Sequence, residues 1–364
     1  MTGEVLSVDA PGRVSFVTEE LGEVPEGGFR VETVHSGISA GTELTYVKGT
    51  NPYLGASWDP VLGLFGEGRP SVAYPVRGIG YMQAGVVVES RFRPVPEGRR
   101  VAMAYGHRTG YVADPLADRY VVLPPWLDPM LGIYVAHMGP ICANGLLHAA
   151  HDLAGGDVRD LLDGVRGRRV AIVGAGVVGL LVAAFIGDAA EVVMIDETPA
   201  RLEIAGKLGV AGTSAAEALD LKRSWRNGPG DHGADLVFQC RGQPRALALA
   251  LKLLRPQGTV VDLAFYTSGA QEVRLGEEFH HNGLSLRCAQ IGRVPRGLGH
   301  AWNRERLSRE TVAMLARAGD LLREHVVTDV VGFGQAPEFL GDLAGGVRQT
   351  VQAVLGRDVQ DERG

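Results

Sequence analysis

The chain has 364 residues, a formal net charge of −6 and 45% hydrophobic residues, a balance ordinary for globular proteins. This length is too great for one small core and predicts two domains. The negative charge gives no reason to expect a nucleic acid or an anionic membrane as a partner. Three cysteines without a CxxC pair favour neither a disulfide framework nor a structural zinc site.

The N-terminal sequence, MTGEVLSVDAPGRV, lacks the basic start and apolar run of a signal peptide. The longest apolar run, near residues 177–186, is too short to span a bilayer. We therefore expect a cytoplasmic protein without a membrane partner.

The first third of the chain contains short β-type runs broken by glycine and proline, namely FRVETVHSGIS, GVVVES, RRVAMAY and DRYVVLP. Such spacing predicts an irregular β-rich unit. Residues 44–76 form a long loop rich in aromatic residues. Loops of this length are usually functional or disordered, and the aromatic residues favour an ordered lid. A covering flap without substrate contact is the alternative.

From residue 166 the pattern changes to alternating strands and helices. RRVAIVG, EVVMID, ADLVFQC and GTVVDLAF read as apolar strands, and GLLVAAFIG, PARLEIAGKLG and PRALALALKLL as helices. Apolar strands between helices predict an α/β fold with a doubly wound parallel sheet of the Rossmann type. The mixed pattern near the end predicts a β-rich domain over 1–141 and 308–364 and a dinucleotide-binding domain over 142–307.

The run VAIVGAGVVG places Gly174, Gly176 and Gly179 in a GxGxxG turn between a strand and a helix. The first glycine permits the tight turn, the second lets a pyrophosphate approach the backbone, and the third allows close helix packing. The helix N-terminus offers free N–H groups to the phosphates. The sequence therefore predicts a dinucleotide site here, with Val178 of the same turn among the contact residues.

Asp196 closes the next strand, about twenty residues further on, where an acidic residue binds the adenosine ribose hydroxyls. Its charge, together with that of Glu197, would repel a 2′-phosphate, which favours NAD over NADP. Arg201 could weaken this preference and is counted among the cofactor-binding candidates. A salt bridge or a solvent-facing position is the alternative for Arg201.

The order of these parts resembles the medium-chain dehydrogenase/reductase superfamily, which includes the zinc-type alcohol dehydrogenases. SGISAGTEL at 36–44 is similar to the G-I-C-G-T-D loop of that superfamily, and GYMQAG at 80–85 to G-H-E-x-x-G. ADLVFQCRG, with LLRPQGTVV after it, is similar to its later Rossmann strands. The resemblance covers nearly the whole chain and implies a GroES-like fold for the β-rich domain.

The chain departs from the superfamily at the zinc ligands. The cysteine position falls on Ser39 or Ala40, the histidine position on Tyr81, and the third ligand position near Pro140. Catalytic zinc takes three protein ligands of the cysteine, histidine or carboxylate type. The four-cysteine structural lobe is missing as well. We therefore predict a zinc-lacking member without metal ligands.

Without zinc, a side chain must stabilise the reacting oxygen or take its proton. Tyr81 could do so, although a phenol ordinarily titrates at about pH 10 and needs help from the nicotinamide cation or a neighbour. His107 suits general acid–base catalysis because an imidazole titrates near neutrality. Thr42, next to Glu43, matches the relay hydroxyl of the superfamily, and His280 is expected to reach the reacting groups from beyond the Rossmann strands.

By the same resemblance, Asn144 lies near the nicotinamide, and Cys240 and Arg241 lie where a strand end meets the cofactor. Each catalytic candidate also has a structural interpretation: Tyr81 could fill the vacated metal cavity, and His107 could order its loop. The remaining candidates weighed as structural are His35, His137, His148, His281 and Cys142.

We predict a zinc-independent, NAD-dependent oxidoreductase that acts on a secondary alcohol or ketone of a small polyol, cyclitol or sugar. The alternatives are a reductase of conjugated C=C bonds, a redox-neutral epimerase or lyase that retains NAD, and a non-enzymatic nucleotide-binding relative. The segment LSLRCAQI alternates like a strand. Because such a strand pairs across a two-fold axis in the superfamily, we expect a homodimer by analogy.

Overall fold

The computed structural model describes residues 1–356 and divides into two compact units. One unit comprises Met1–His137 and the segment from Val327 onward, and the other comprises Met138–Val326. The second unit ends at Val326, whereas the sequence predicts its end at residue 307. The helix Arg304–Leu321 packs against helices of the second unit and therefore belongs to it.

Residues 1–137 form ten strands and one α-helix, α1 (Ala40–Val47). The strands are β1 (Thr2–Ala10), β2 (Arg13–Glu20), β3 (Phe29–Ile38), β4 (Ser57–Asp59), β5 (Leu64–Gly66), β6 (Val76–Arg77), β7 (Gln83–Ser90), β8 (Arg100–Met103), β9 (Gly110–Ala113) and β10 (Tyr120–Val122).

The second unit alternates helices and strands. The strands are β11 (Arg169–Val173), β12 (Glu191–Ile195), β13 (Ala211–Thr213), β14 (Arg226–Gly228), β15 (Asp231–His232), β16 (Ala234–Gln239), β17 (Leu254–Asp262) and β18 (Ser285–Cys288). The α-helices are α2 (Met138–Ala154), α3 (Val177–Ile186), α4 (Pro199–Lys207), α5 (Ala218–Ser224), α6 (Pro244–Leu253) and α7 (Arg304–Leu321).

Six of these strands form one sheet in the order β13-β12-β11-β16-β17-β18, and all of them pair in parallel. The order reverses direction between β11 and β16, and ligands of doubly wound sheets bind outside the carboxyl ends of the strands at such a point. The predicted Rossmann sheet is confirmed.

The Rossmann core forms because the strands are apolar on both faces and the helices on one. In α6, Ala246, Leu247, Ala250 and Leu251 share one face and pack against buried residues of β11, β16 and β17. Among residues 1–356, no helix combines the length and apolar character needed to cross a bilayer.

The chain then returns to the first unit as β19 (Val327–Gly332), α8 (Ala336–Gly345) and β20 (Gln352–Gly356). β20 pairs antiparallel with β3, which completes a sheet in the order β10-β8-β7-β3-β20-β19, with β9 also paired to β3. A smaller sheet has the order β2-β1-β6. The predicted β-rich domain is confirmed.

Residues 44–76 are ordered by local contacts. β4 and β5 form a hairpin, and the ring of Phe65 contacts those of Tyr53 and Trp58. Val61 and Leu62 at its tip are exposed. A role for this segment as a substrate lid stays a prediction.

Candidate active site

Two hydroxyl groups meet where the sequence resembles a zinc site. β3 and β7 run antiparallel, with Ser36 opposite Gln83. The turn after β3 and the turn before β7 therefore lie side by side. Ser39 directly follows β3 and Tyr81 lies just before β7, and their hydroxyls share a hydrogen bond. Ser39 is buried, and Tyr81 is partly exposed.

A buried network lies behind Ser39. Glu43, in the first turn of α1, accepts a hydrogen bond from the Ser39 backbone N–H at 2.8 Å through Oε1. Its Oε2 lies 2.8 Å from Nε2 of His107, and Nδ1 of His107 is hydrogen-bonded to the Ser36 hydroxyl. A neutral imidazole satisfies this arrangement if Nε2–H donates to Glu43 and Nδ1 accepts from Ser36.

The backbone closes over His107 at a glycine. Gly80 has φ +107°, and a Cβ there would meet Nε2 of His107 at 2.8 Å. His107 is fully buried, and both its ring nitrogens are hydrogen-bonded within the network. The structure therefore corrects the prediction of a general acid–base that touches substrate. His107 supports Glu43, which in turn positions Ser39.

Two further residues lie around the Ser39–Tyr81 pair. The ring of His137 contacts that of Tyr81, with centroids 4.6 Å apart, although sequence reasoning expected His137 to be only structural. Thr42 is partly exposed in the first turn of α1, and its N–H donates to the Ser39 carbonyl at 3.0 Å. Thr42 is thus beside the hydroxyl pair, and its role as a relay hydroxyl stays a prediction.

The donors at this position do not fit a catalytic zinc ion. Ser39 and Tyr81 supply neutral hydroxyls, whereas zinc in proteins is held by thiolate, imidazole or carboxylate groups. Glu43 and His107 hydrogen-bond each other. Within residues 1–356, no three histidine, cysteine, aspartate or glutamate side chains cluster closely enough to hold a metal ion.

The glycine turn of the Rossmann unit has the geometry of a dinucleotide site. Gly174 follows β11 with φ +105°, and Gly176 is the N-cap of α3. A Cβ on Gly179 would lie 2.0 Å from the Gly174 carbonyl oxygen, so only glycine allows α3 to approach the turn this closely. The space above Gly176 is open.

Alanine at Gly179 and at Gly176 should therefore have different effects. Gly179→Ala is expected to destabilise the protein by about 1–3 kcal/mol through overpacking. Gly176→Ala should leave the melting temperature unchanged and weaken the binding of a dinucleotide roughly tenfold, because a Cβ at this position would keep the pyrophosphate away from the backbone N–H groups. Thermal unfolding and titration calorimetry of the two variants check this. Equal melting temperatures for both variants would contradict it.

Asp196 is 2% exposed and supports the glycine turn. One carboxylate oxygen accepts from the Ala175 N–H and the other from the Thr198 N–H, each at 2.8 Å. A carboxylate has about four acceptor positions, so capacity for ribose hydroxyls remains. Val178 is partly exposed, with its carbonyl 3.6 Å from the Cys142 thiol, and Arg201 is partly buried on α4.

A cavity of about 180 Å³ lies at the carboxyl edge of this sheet. Glu197 in its wall accepts from Arg241 at 3.0 Å and from Arg245 at 3.3 Å. Burial raises the pKa of the Cys240 thiol well above its ordinary value, and the Cys240 N–H donates to the Val173 carbonyl. Cys240 therefore shapes the strand end, while Arg241 faces the cavity.

Asn144 is buried on α2, where its amide nitrogen donates to the carbonyls of Gln290 and Arg293. These carbonyls belong to the segment that follows β18 at the carboxyl edge. Oδ1 of Asn144 has no hydrogen-bond partner among the described residues. Asn144 therefore orders the backbone at this edge.

His280 lies at the other edge of the sheet. It precedes β18, which is parallel to its neighbour β17, so it is at the amino ends of the strands. The adjoining Glu277 and Glu278 line a cavity with Lys252 at the end of α6. His280 and His281 are exposed, and their rings contact each other. This position removes His280 from the candidate catalytic groups.

Sequence reasoning missed three members of the site. The sequence marks Ser39 only as the replacement of a cysteine and Glu43 only as the neighbour of Thr42, and no motif singles out Arg245. The Ser39 substitution was the available signal for the hydroxyl pair, because it occurs together with Tyr81 at two ligand positions.

Comparisons with known proteins agree with this architecture. Residues 174–301 match the family described as zinc-binding dehydrogenase. D-guloside 3-dehydrogenase of Escherichia coli K12 is 28% identical over 171 residues, which cover 46% of this chain and 49% of that protein. The chain thus spans about half the length of this curated relative.

Solved structures share the fold over nearly the whole chain. Galactitol-1-phosphate dehydrogenase from Escherichia coli has a TM-score of 0.72 and 17% identity, covering 97% of this chain and 99% of that one. An NADP-bound structure described as a zinc-binding dehydrogenase from Sinorhizobium meliloti 1021 has a TM-score of 0.69 and 16% identity, covering 98% and 99%. The chain therefore has the fold of these dehydrogenases, and its residues 174–301 match the zinc-binding dehydrogenase family.

Proposed function

We propose that the protein is an NAD-dependent, zinc-independent oxidoreductase of a secondary alcohol or its ketone on a small polyol, cyclitol or sugar. The observation that carries this proposal is the glycine turn, with Asp196 bonded to its backbone at the carboxyl edge of the parallel sheet. When bound, NAD supplies a hydride acceptor at C4 of its nicotinamide ring.

The proposed proton chemistry rests on the Ser39–Tyr81 pair. In the reducing direction the Tyr81 hydroxyl gives its proton to the carbonyl oxygen and is left as phenolate, and in the oxidising direction the Tyr81 phenolate takes up the alcohol proton. The Ser39 hydroxyl, bonded to Tyr81, holds the phenol in position. The Glu43–His107 pair fixes Ser39 through its backbone N–H. In this proposal no metal ion takes part.

The substrate class is supported by the similar proteins. One relative is described as a D-guloside 3-dehydrogenase and one solved structure as a galactitol-1-phosphate dehydrogenase. Both names denote a dehydrogenase of a polyhydroxylated carbon skeleton. We propose a substrate of this class for the present chain, with one secondary hydroxyl as the reacting group.

We further propose a cytoplasmic homodimer. All three cysteines are free thiols, which suits a reducing compartment. β18 lies at one end of the strand order of the six-stranded sheet, and an edge strand offers backbone N–H and C=O groups to a second copy.

The proposed activity is tested by supplying NAD⁺ with a panel of polyols, cyclitols and sugars and following NADH formation. We expect turnover with at least one compound, and an unchanged rate after dialysis against a chelator. Elemental analysis of the same sample should find zinc well below one ion per chain. A rate lost on chelation and restored by zinc would contradict the metal-free proposal. Failure to bind NAD would contradict the proposed function itself.

A further inference from the structure

Three charged residues form one cluster in the wall of the Rossmann cavity. Glu197, directly after Asp196, accepts hydrogen bonds from Arg241 and Arg245, and the same oxygen, Oε2, serves both arginines. We call these three residues the Glu197 cluster. Their side chains are exposed by 44% for Glu197, 26% for Arg241 and 61% for Arg245. The cluster is therefore open to a ligand that enters the cavity.

The cluster stands where a dinucleotide would place its adenosine ribose. Asp196, the residue expected to bind the ribose hydroxyls, lines the same cavity. Arg241 is fixed beside the glycine turn, because a Cβ on Gly174 would lie 3.1 Å from the Arg241 Cβ. A phosphate on the ribose 2′-oxygen would thus come close to both arginines and to Glu197.

The two ion pairs of Glu197 affect how strongly a phosphate can bind at this position. Guanidinium groups bind phosphate strongly through paired N–H donors. Here Glu197 already engages both guanidinium groups and adds a negative charge to that of Asp196. A 2′-phosphate would have to break these ion pairs and approach two carboxylates, whereas a free 2′-hydroxyl would not.

Glu197 differs from Asp196 in its hydrogen-bond partners. Both oxygens of Asp196 bond to the backbone of the glycine turn, so replacing Asp196 disturbs the turn itself. The side chain of Glu197 bonds to the two arginines. Its charge is thus a feature that can change while the turn stays intact.

We propose that Glu197 is the residue that sets the preference for NAD over NADP, because it occupies Arg241 and Arg245, which otherwise form a 2′-phosphate site. This inference rests on the proposed function as a nicotinamide-dinucleotide enzyme. It adds that the chain already contains two guanidinium groups able to bind the 2′-phosphate of NADP, and that both are hydrogen-bonded to the Glu197 carboxylate.

The test is titration calorimetry of NAD⁺ and NADP⁺ with the full-length protein and Glu197→Gln. We expect the wild type to favour NAD⁺ and the variant to bind NADP⁺ roughly tenfold or more tightly than the wild type does, the value of one new charge-assisted hydrogen bond. Adenosine 2′-monophosphate should show the same gain, and 5′-AMP should not. Glu203→Gln, an exposed carboxylate on α4, is the matched control and should leave the NAD⁺/NADP⁺ ratio unchanged.

Two further variants complete the experiment. Adding Arg241→Met and Arg245→Met to Glu197→Gln should abolish the gain for NADP⁺, and Glu197→Ser should reproduce it if the glutamine variant is unstable. A folded Glu197→Gln protein without tighter NADP⁺ binding would overturn the inference, as would a wild type that already prefers NADP⁺. If the wild type binds neither dinucleotide, the proposed function fails and the inference with it.

Discussion

Tyr81→Phe is expected to lower kcat by about 10²- to 10³-fold while leaving the NAD⁺ dissociation constant unchanged. Removing one positioned proton donor or oxyanion donor in an enzyme site typically has an effect of this size. The aromatic ring and its contact with His137 persist in the variant, so the loss reports on the hydroxyl alone. Steady-state kinetics on a substrate found with the panel, with calorimetry of NAD⁺, measure both quantities.

The control for Tyr81→Phe is Tyr111→Phe in the same unit. The Tyr111 hydroxyl donates to Asp118 at 3.0 Å, so its loss should cost stability of about 1–2 kcal/mol and leave kcat unchanged. Ser39→Ala should lower kcat less than Tyr81→Phe, because the phenol remains and loses only its partner. A Tyr81→Phe variant with the wild-type rate would remove Tyr81 from the mechanism. It would support the structural interpretation, in which the ring only fills the vacated metal cavity.

Glu43→Ala is expected to destabilise the protein by about 1–3 kcal/mol for each buried donor left without its acceptor, beginning with Nε2–H of His107. Glu43 is 1% exposed and accepts hydrogen bonds on both carboxylate oxygens, so nothing in solvent replaces it. The measurement is the free energy of unfolding from urea titration. The small side chain also leaves the Ser39 N–H without its acceptor.

Glu43→Gln separates charge from geometry. Its amide oxygen can still accept from the Ser39 N–H, and its NH₂ group can donate to Nε2 of His107 if the imidazole proton moves to Nδ1 and is donated to Ser36. We therefore expect this variant to keep most of the stability that Glu43→Ala loses. Equal losses in the two variants would show that the negative charge, rather than the hydrogen bonds, stabilises this part of the fold.

The two predictions concern one connected structure. Glu43 holds the backbone N–H of Ser39, and the Ser39 hydroxyl holds that of Tyr81. A proton donor is effective only when it is held near its productive position. The buried pair thus contributes to activity indirectly, by keeping the exposed hydroxyl in place.

The sequence by itself determined the Rossmann unit, because its signals are local. Apolar strands alternate with helices, and Gly174, Gly176, Gly179 and Asp196 fall within one strand–turn–helix–strand segment. Each of these features follows from backbone conformation or periodicity over a few residues. The sequence also shows hydroxyl residues, Ser39 and Tyr81, at the positions of the superfamily's zinc ligands, because the similar motifs are enough to align these positions.

Only the tertiary structure decided which side chains meet. The partners Ser39 and Tyr81 are 42 residues apart, Glu43 and His107 are 64 apart, and Glu197 and Arg245 are 48 apart. Their meeting depends on strand register and on how closely the backbone packs at Gly80, which no local pattern carries. In the sequence His107 is a loop histidine suited to proton transfer, and burial with both nitrogens bonded makes it a support instead. His280 likewise follows the Rossmann strands in the chain, but the parallel direction of β18 places it at the opposite edge of the sheet.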